Sequence, residues 1–186
     1  MLEGPCEVNA LPALLEGHPV EVIKRVHVGG QPAASPLETF VTKKLLPKLQ
    51  QVMIAVRDVP VGVVFDRENR VETADEVARE TLRLISPHVP QHRRVFVAVA
   101  DQKFENWLIA DPDGVVGHAL ILRDFKSKVG TDADSKDAIG ILKWAMRNGD
   151  YDKTKHAPSL AKLVRVGDGV VQGRSASLRA FLAELR

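Results

Sequence analysis

Val61-Gly62-Val63-Val64-Phe65 is a continuous apolar run that stops at Asp66, and Val95-Phe96-Val97-Ala98-Val99-Ala100 is a second that stops at Asp101. Runs without polar alternation are what strands covered on both faces of a parallel sheet require. A third stretch, residues 20–28, alternates more and reads as a strand nearer an edge, stopped by Gly29-Gly30. Between these runs the apolar period becomes helical. Leu37, Phe40, Val41, Leu45 and Leu49 share one face of a helix over 37–51, with Ser35 as cap and Pro36 at its first position. Pro47 is expected to kink or end that helix. Residues 73–84 form the next one, with Val77, Leu82 and Leu84 inward and Thr73 with Glu76 as a capping box. Alternating strands and helices predict an α/β fold: a mainly parallel sheet flanked by helices, joined by right-handed crossovers.

After residue 118 the pattern turns helical. Ser135-Lys136-Asp137 opens a helix that runs through Met146 and is closed by Asn148-Gly149. Shorter helices are expected over 159–163 and 175–185, with a weak strand candidate at 170–172. The organisation expected is an α/β core over 1–118 and a helical C-terminal extension over 119–186, packed together as one structural unit.

Composition narrows the function classes. The 186 residues suit one domain, and 45% hydrophobic with 27% charged content allows a packed core. A net charge of +2 is too small for a broadly basic nucleic-acid binder, so any such contact must come from local pairs: Lys43 with Lys44, Arg93 with Arg94, Lys153 with Lys155. Each pair alone is more simply a solvated face. One cysteine excludes an internal disulfide framework and fits a reducing compartment. No apolar run approaches the roughly 20 residues of a membrane span, and the N-terminus lacks a signal-peptide pattern. A cytoplasmic location is the expectation.

Ligands of open parallel sheets gather beyond the carboxyl ends of the strands. Carboxylates should collect there from separate segments. Glu3 ends Met1-Leu2-Glu3, and Glu7 falls in the first turn of a helix starting near Pro5. Asp66 ends its apolar run, with Glu68 two residues on. Glu105 opens Glu105-Asn106-Trp107-Leu108-Ile109-Ala110-Asp111 just past the next run. Each has a plainer reading, as helix-dipole compensation, turn former or cap. Together they would repel one another without a cation, and oxygen ligands favour Mg²⁺ or Mn²⁺ over zinc. Such ions activate water and stabilise a leaving oxygen in phosphodiester hydrolysis.

Leu2-Glu3-Gly4-Pro5-Cys6-Glu7, Val63-Val64-Phe65-Asp66-Arg67-Glu68 and the Phe104-to-Asp111 block resemble the TOPRIM-like family catalogued as domain of unknown function 4276. Tyr151-Asp152-Lys153-Thr154-Lys155-His156-Ala157-Pro158 and Ser177-Leu178-Arg179-Ala180-Phe181 resemble its C-terminal segment, so the likeness covers nearly the whole chain. The Glu-x-Trp-Leu-x-Ala-Asp block is its most specific part. The resemblance implies a TOPRIM-like (Rossmann-like) sheet, with Glu3 as the glutamate after strand one and Asp66 with Glu68 as the Asp-x-Asp element. Glu7 would be the second glutamate used by the nuclease branch. Some relatives accompany ATPases in phage-defence operons, so a partner ATPase is a candidate; no Walker motif lies in this chain. The sequence departs from the TOPRIM pattern twice. Only Met1 and Leu2 precede Glu3, so either the start is misplaced, the chain is truncated or strand one is very short, and Glu68 replaces the second Asp with a longer reach.

The resulting expectation is a Mg²⁺-dependent phosphodiesterase or nuclease. Glu3, Asp66 and Glu105 would be catalytic, Glu3, Glu7, Asp66 and Glu68 would hold Mg²⁺ or Mn²⁺, and Lys153, Lys155 and His156 would contact nucleic acid. The alternative is a non-catalytic regulatory or interaction subunit; a small-molecule phosphohydrolase is a third reading. Cys6 lacks a neighbouring base, His156 fits a structural role at a helix start equally well, and Gly29-Gly30-Gln31 fits a plain turn. Trp107 and Trp144 are expected in the core rather than stacked on bases.

Overall fold

The computed structural model describes residues 1–2, 4–17, 27–28, 35–56 and 59–186, without the side chains of Pro5, Cys6 and Asn148. Glu3, Gly29-Gly30-Gln31 and most of the strand expected over 20–28 lie outside those residues.

Strand β1 is Val61–Asp66 and strand β2 is Val95–Ala100, paired parallel with Val61 opposite Val95 and Asp66 opposite Ala100. On the other side of β1, Leu2 makes parallel bridges to both Val64 and His27. The amide of Val64 donates to Met1 O at 2.9 Å, and that of Val28 to Leu2 O at 2.7 Å. Of a first strand, the described residues show one bridged residue, Leu2, between β1 and His27. Both long strands show the two-residue period of side-chain direction. Val61, Val63, Phe65 and Val99 join one apolar cluster, while Val64, Phe96, Ala98 and Ala100 join another on the opposite face. Gly62 sits opposite Phe96, and a Cβ there would lie 2.5 Å from that ring, so the ring takes the space a side chain would need.

Helix α1 (Pro5–Leu14) starts after the bridged residue. Helix α2 (Leu37–Phe40) runs through a π turn at Val41–Leu45 into α3 (Leu46–Ala55). Pro47 therefore does not end this helix. It lacks the N–H that would bond Lys43 O, and its ring would crowd that carbonyl. The wider turn, in which Leu46 N bonds Val41 O, takes up the misfit one turn earlier.

Helix α4 (Ala74–Ile85) is the crossover between β1 and β2 and carries the Thr73–Glu76 capping box in full. Its buried residues are Val77, Thr81 and Ile85. Leu82, expected inward, is 38% exposed, and Leu84 is half-buried. The helix turns a narrower apolar stripe to the sheet than its leucines suggest.

Past β2 come α5 (Glu105–Ile109), α6 (Pro112–Val115), α7 (Lys126–Val129) and α8 (Ala138–Ala145). Then follow α9 (Lys153–Ala161), α10 (Gly169–Arg174) and α11 (Ala176–Glu184). The weak strand candidate at 170–172 is helix α10, and the helix expected over 159–163 begins earlier, behind Asp152 as its cap. Helix α9 packs on α1, and α11 packs on β2. One apolar cluster accordingly runs from Leu2 and α1 through Trp107 to Leu182. No helix among the described residues is long and apolar enough to cross a membrane.

The Glu105-to-Asp111 block binds these parts together. Trp107 is fully buried, stacks on Phe181 with centroids 5.0 Å apart and donates to Ser177 Oγ at 2.7 Å. Asn106 Nδ2 donates to the carbonyls of Ala133 and Lys136 at 2.7 and 2.9 Å. Asp111, fully buried, accepts from Gly114 N and from the amide, Nε and Nη2 of Arg165. Trp144 is different. Expected in the core, it is 40% exposed, with Lys128 Nζ 4.4 Å and Arg123 Cζ 5.3 Å from its ring. It lies off the buried stripe of α8, which Ala138, Leu142 and Ala145 form.

Candidate acidic site beyond the strand ends

Asp66 is the last residue of β1 and is buried. Its Oδ1 accepts from the amide of Phe104 at 2.8 Å, so a carboxylate from one strand anchors the start of the helix that follows the other. The residue next in sequence, Glu105, is 2% exposed in the first turn of α5. Glu105 does not act as a surface cap. Its side chain is turned into the protein, where Tyr151 Oη donates to its Oε1 at 3.3 Å.

Glu7, 4% exposed, comes from the first turn of α1. Its Oε2 is buried and has no hydrogen-bond partner among the described residues. A Cβ on residue 4 would lie 2.6 Å from that oxygen, so Gly4 leaves the space in which the carboxylate sits. The charge of Glu7 acts on Glu105. Burial pushes the Glu105 carboxyl above the ordinary carboxylate range, against its own backbone amide and the nearby Lys153 ammonium, and Glu7 raises it further. A buried acid whose proton affinity is raised by burial and by a second buried carboxylate is a costly arrangement for folding alone.

The loops that hold this arrangement are cross-braced. The amide of Arg67 donates to Ala100 O and that of Glu68 to Gln102 O, at 2.9 and 2.8 Å. Glu68 and Gln102 both take positive φ, 54° and 64°, where residues with a Cβ are uncommon. Arg67 also pairs with Asp101. Glu68 itself lies half-exposed, with Lys103 Nζ 4.0 Å from its carboxylate.

The basic residues divide. Lys153 opens α9 close enough to Glu105 to favour its charged form. Lys155 is 77% exposed and pairs with Asp152 across the surface of the same helix. His156 Nδ1 accepts from Asp152 N at 3.0 Å while its own amide donates to Asp152 O, so it closes the first turn of α9. Its neighbour His118 is held below the usual histidine range by burial and by the charge of His156.

Among the sequence-based candidates, then, Glu7, Glu105 and Lys153 are brought within electrostatic reach by α1, α5 and α9, while Asp66 anchors the Phe104 amide just before Glu105. Glu68, Lys155 and His156 are engaged with other partners, and Glu3 lies outside the described residues, as does the Cys6 side chain. Among the described residues no group of three or more His, Cys, Asp and Glu side chains meets the spacing of a metal cage. Tyr151 and Gly4 were given no role by the sequence reading. Tyr151, the sole tyrosine, stands immediately before the cap of α9.

No curated protein and no solved structure matches the chain. The profile of one protein family, described as "Domain of unknown function (DUF4276)", matches residues 2–186. It spans the strand-end acids, the Glu105-to-Asp111 block and the C-terminal helices alike, and the chain belongs to that family.

Proposed function

We propose that this protein is a divalent-metal-dependent phosphodiesterase, acting on nucleic acid from a TOPRIM-like α/β scaffold. The observation that carries the reading is the buried Glu7–Glu105 pair beyond the strand ends, with one carboxylate oxygen of Glu7 without a hydrogen-bond partner among the described residues. A buried acceptor without a donor costs free energy that a hard cation would recover. Glu7, Glu105 and Asp66 supply oxygen donors of the type Mg²⁺ or Mn²⁺ takes, and Glu3 and Glu68 adjoin them in sequence. When bound, such an ion supplies an activated water and charge stabilisation at phosphorus. Glu105, whose proton affinity burial raises, is suited to accept a proton. Lys153 supplies positive charge beside it, and the Tyr151 hydroxyl orients its Oε1.

The test is calorimetric titration of Mn²⁺ into the wild type, Asp66→Ala and Glu105→Gln, followed by cleavage of single- and double-stranded DNA and RNA. Binding to the wild type that both substitutions abolish is the expected outcome. Wild-type affinity in both variants overturns the assignment.

A second reading is a non-catalytic subunit of the same fold that serves a partner such as an ATPase. The engagement of Glu68 by Lys103 favours it, because a residue of the expected Asp-x-Asp element is then withdrawn from the acids. No Mn²⁺ binding by the folded wild type selects this reading.

A further inference from the structure

Strand β2 has one bonded edge and one open edge. Val61 N donates to Arg94 O and Arg67 N to Ala100 O, so the even-numbered residues of this segment direct their backbone groups towards β1. Alternation along a strand turns the N–H and C=O of Val95, Val97 and Val99 the other way. Among the described residues no strand pairs with that side. A groove of about 260 Å³ follows it, floored by residues 95–99 and walled by α4 and α11. The walls combine the small Ala74, Ala78, Ser177 and Ala180 with the charged Asp75, Arg79 and Glu184, and Leu82 is partly exposed at the rim.

Exposed strand edges are normally blunted by lysine, proline, bulges or a covering element. Val95-Phe96-Val97-Ala98-Val99-Ala100 has none of these in its sequence. We infer that β2 pairs antiparallel with β2 of a second copy of this chain, joining the two sheets across a two-fold axis at Val97.

The edge is self-complementary in that register. Val97 faces the second copy's Val97, and Val95 faces the second copy's Val99. Each of these is a pair that exchanges both backbone bonds, about six in all. Valine meets valine throughout, a pairing suited to a pleated, half-buried surface. Charge agrees with the antiparallel sense. Arg93 and Arg94 precede the strand and Asp101 follows it; Arg94 already pairs with Glu184 and Asp101 with Arg67, so the two-fold adds a longer-range attraction between the basic end of each strand and the acidic end of the other. A parallel pairing would set like charges together. Isologous contacts of this kind close at two copies and use up this edge.

Light scattering coupled to size exclusion, on the full chain at about 10 and 100 µM, measures the outcome. The wild type should elute at twice 20.4 kDa. Ala180→Arg and Leu82→Arg, both at exposed groove positions, should elute at the single-chain mass with unchanged circular dichroism. Hydrogen exchange should find the amides of Val95, Val97 and Val99 protected in the wild type and unprotected in Ala180→Arg. A wild type of single-chain mass at both concentrations overturns the inference, and so does a double mass that neither substitution alters. Protection of the three amides in a single-chain species assigns the edge to another part of the same chain and overturns it as well. None of these readouts depends on the acidic site.

Discussion

Glu105 is raised by burial and by the neighbouring charge of Glu7, and this sets the sign of a pH effect. Below the ordinary carboxylate range the residue is neutral in folded and unfolded chains and changes nothing. Above it the unfolded chain releases the proton while the folded chain keeps it, so stability falls with rising pH until the folded carboxyl ionises too. Glu105→Gln removes this loss. Thermal melts of the two proteins at pH 4, 6 and 8 should coincide at the lowest pH and separate above it, the variant melting higher, by at most about 1.4 kcal/mol per pH unit. Equal separations at all three values exclude the linkage. Tyr151 Oη donates to Glu105, which favours the charged form, so Tyr151→Phe should move the pH midpoint of Mn²⁺ binding upward by less than about one unit. A midpoint that stays in place removes Tyr151 from the site.

At the scale of elements, the polar contacts that join loops to helices carry measurable stability. Asp134 is buried between α7 and α8 and accepts from Ser175 Oγ at 2.7 Å and Ser177 N at 2.9 Å, fixing the start of α11. Asp134→Ala leaves those donors without their acceptor and should cost roughly 2–4 kcal/mol in urea denaturation. Loss of the Thr73 cap in Thr73→Ala should cost less, about 1 kcal/mol, because solvent reaches the freed amide. The reverse ranking in denaturation midpoints would mean that the Asp134 cluster is not what holds α11. The π turn before Pro47 belongs to this scale too. A single missing N–H is absorbed by a local change of helical register instead of ending the element.

For the whole molecule, the C-terminal helices are part of the core rather than an appendage. Leu160 on α9 and Leu178 on α11 are fully buried in the same cluster as Leu11, Leu14 and Trp107. Leu160→Ala should therefore cost about 2–5 kcal/mol, and it should weaken Mn²⁺ binding as well, since α9 carries Lys153 to Glu105. A chain ending at residue 118 loses the partners of α1, α5 and β2. It should show no cooperative unfolding transition by circular dichroism; a sharp transition would mean that the first part folds alone.

The sequence alone determined the two parallel strands, because unbroken apolar runs ending in Asp66 and Asp101 suit nothing else as well. It also determined the capping box at Thr73 and the helices behind Ser175 and Asp137, which rest on local hydrogen bonds between near neighbours. Glu7, Asp66 and Glu105 were legible as acids at segment ends. Only the tertiary structure decided which acids meet, because Asp66 reaches Phe104 and Glu7 acts on Glu105 across long stretches of chain. It also turned Trp144 outward, tied His156 to Asp152 and seated Tyr151 on Glu105. Periodicity records which face of an element is apolar. It does not record what that face packs against, and burial, pairing and proton affinity depend on the packing.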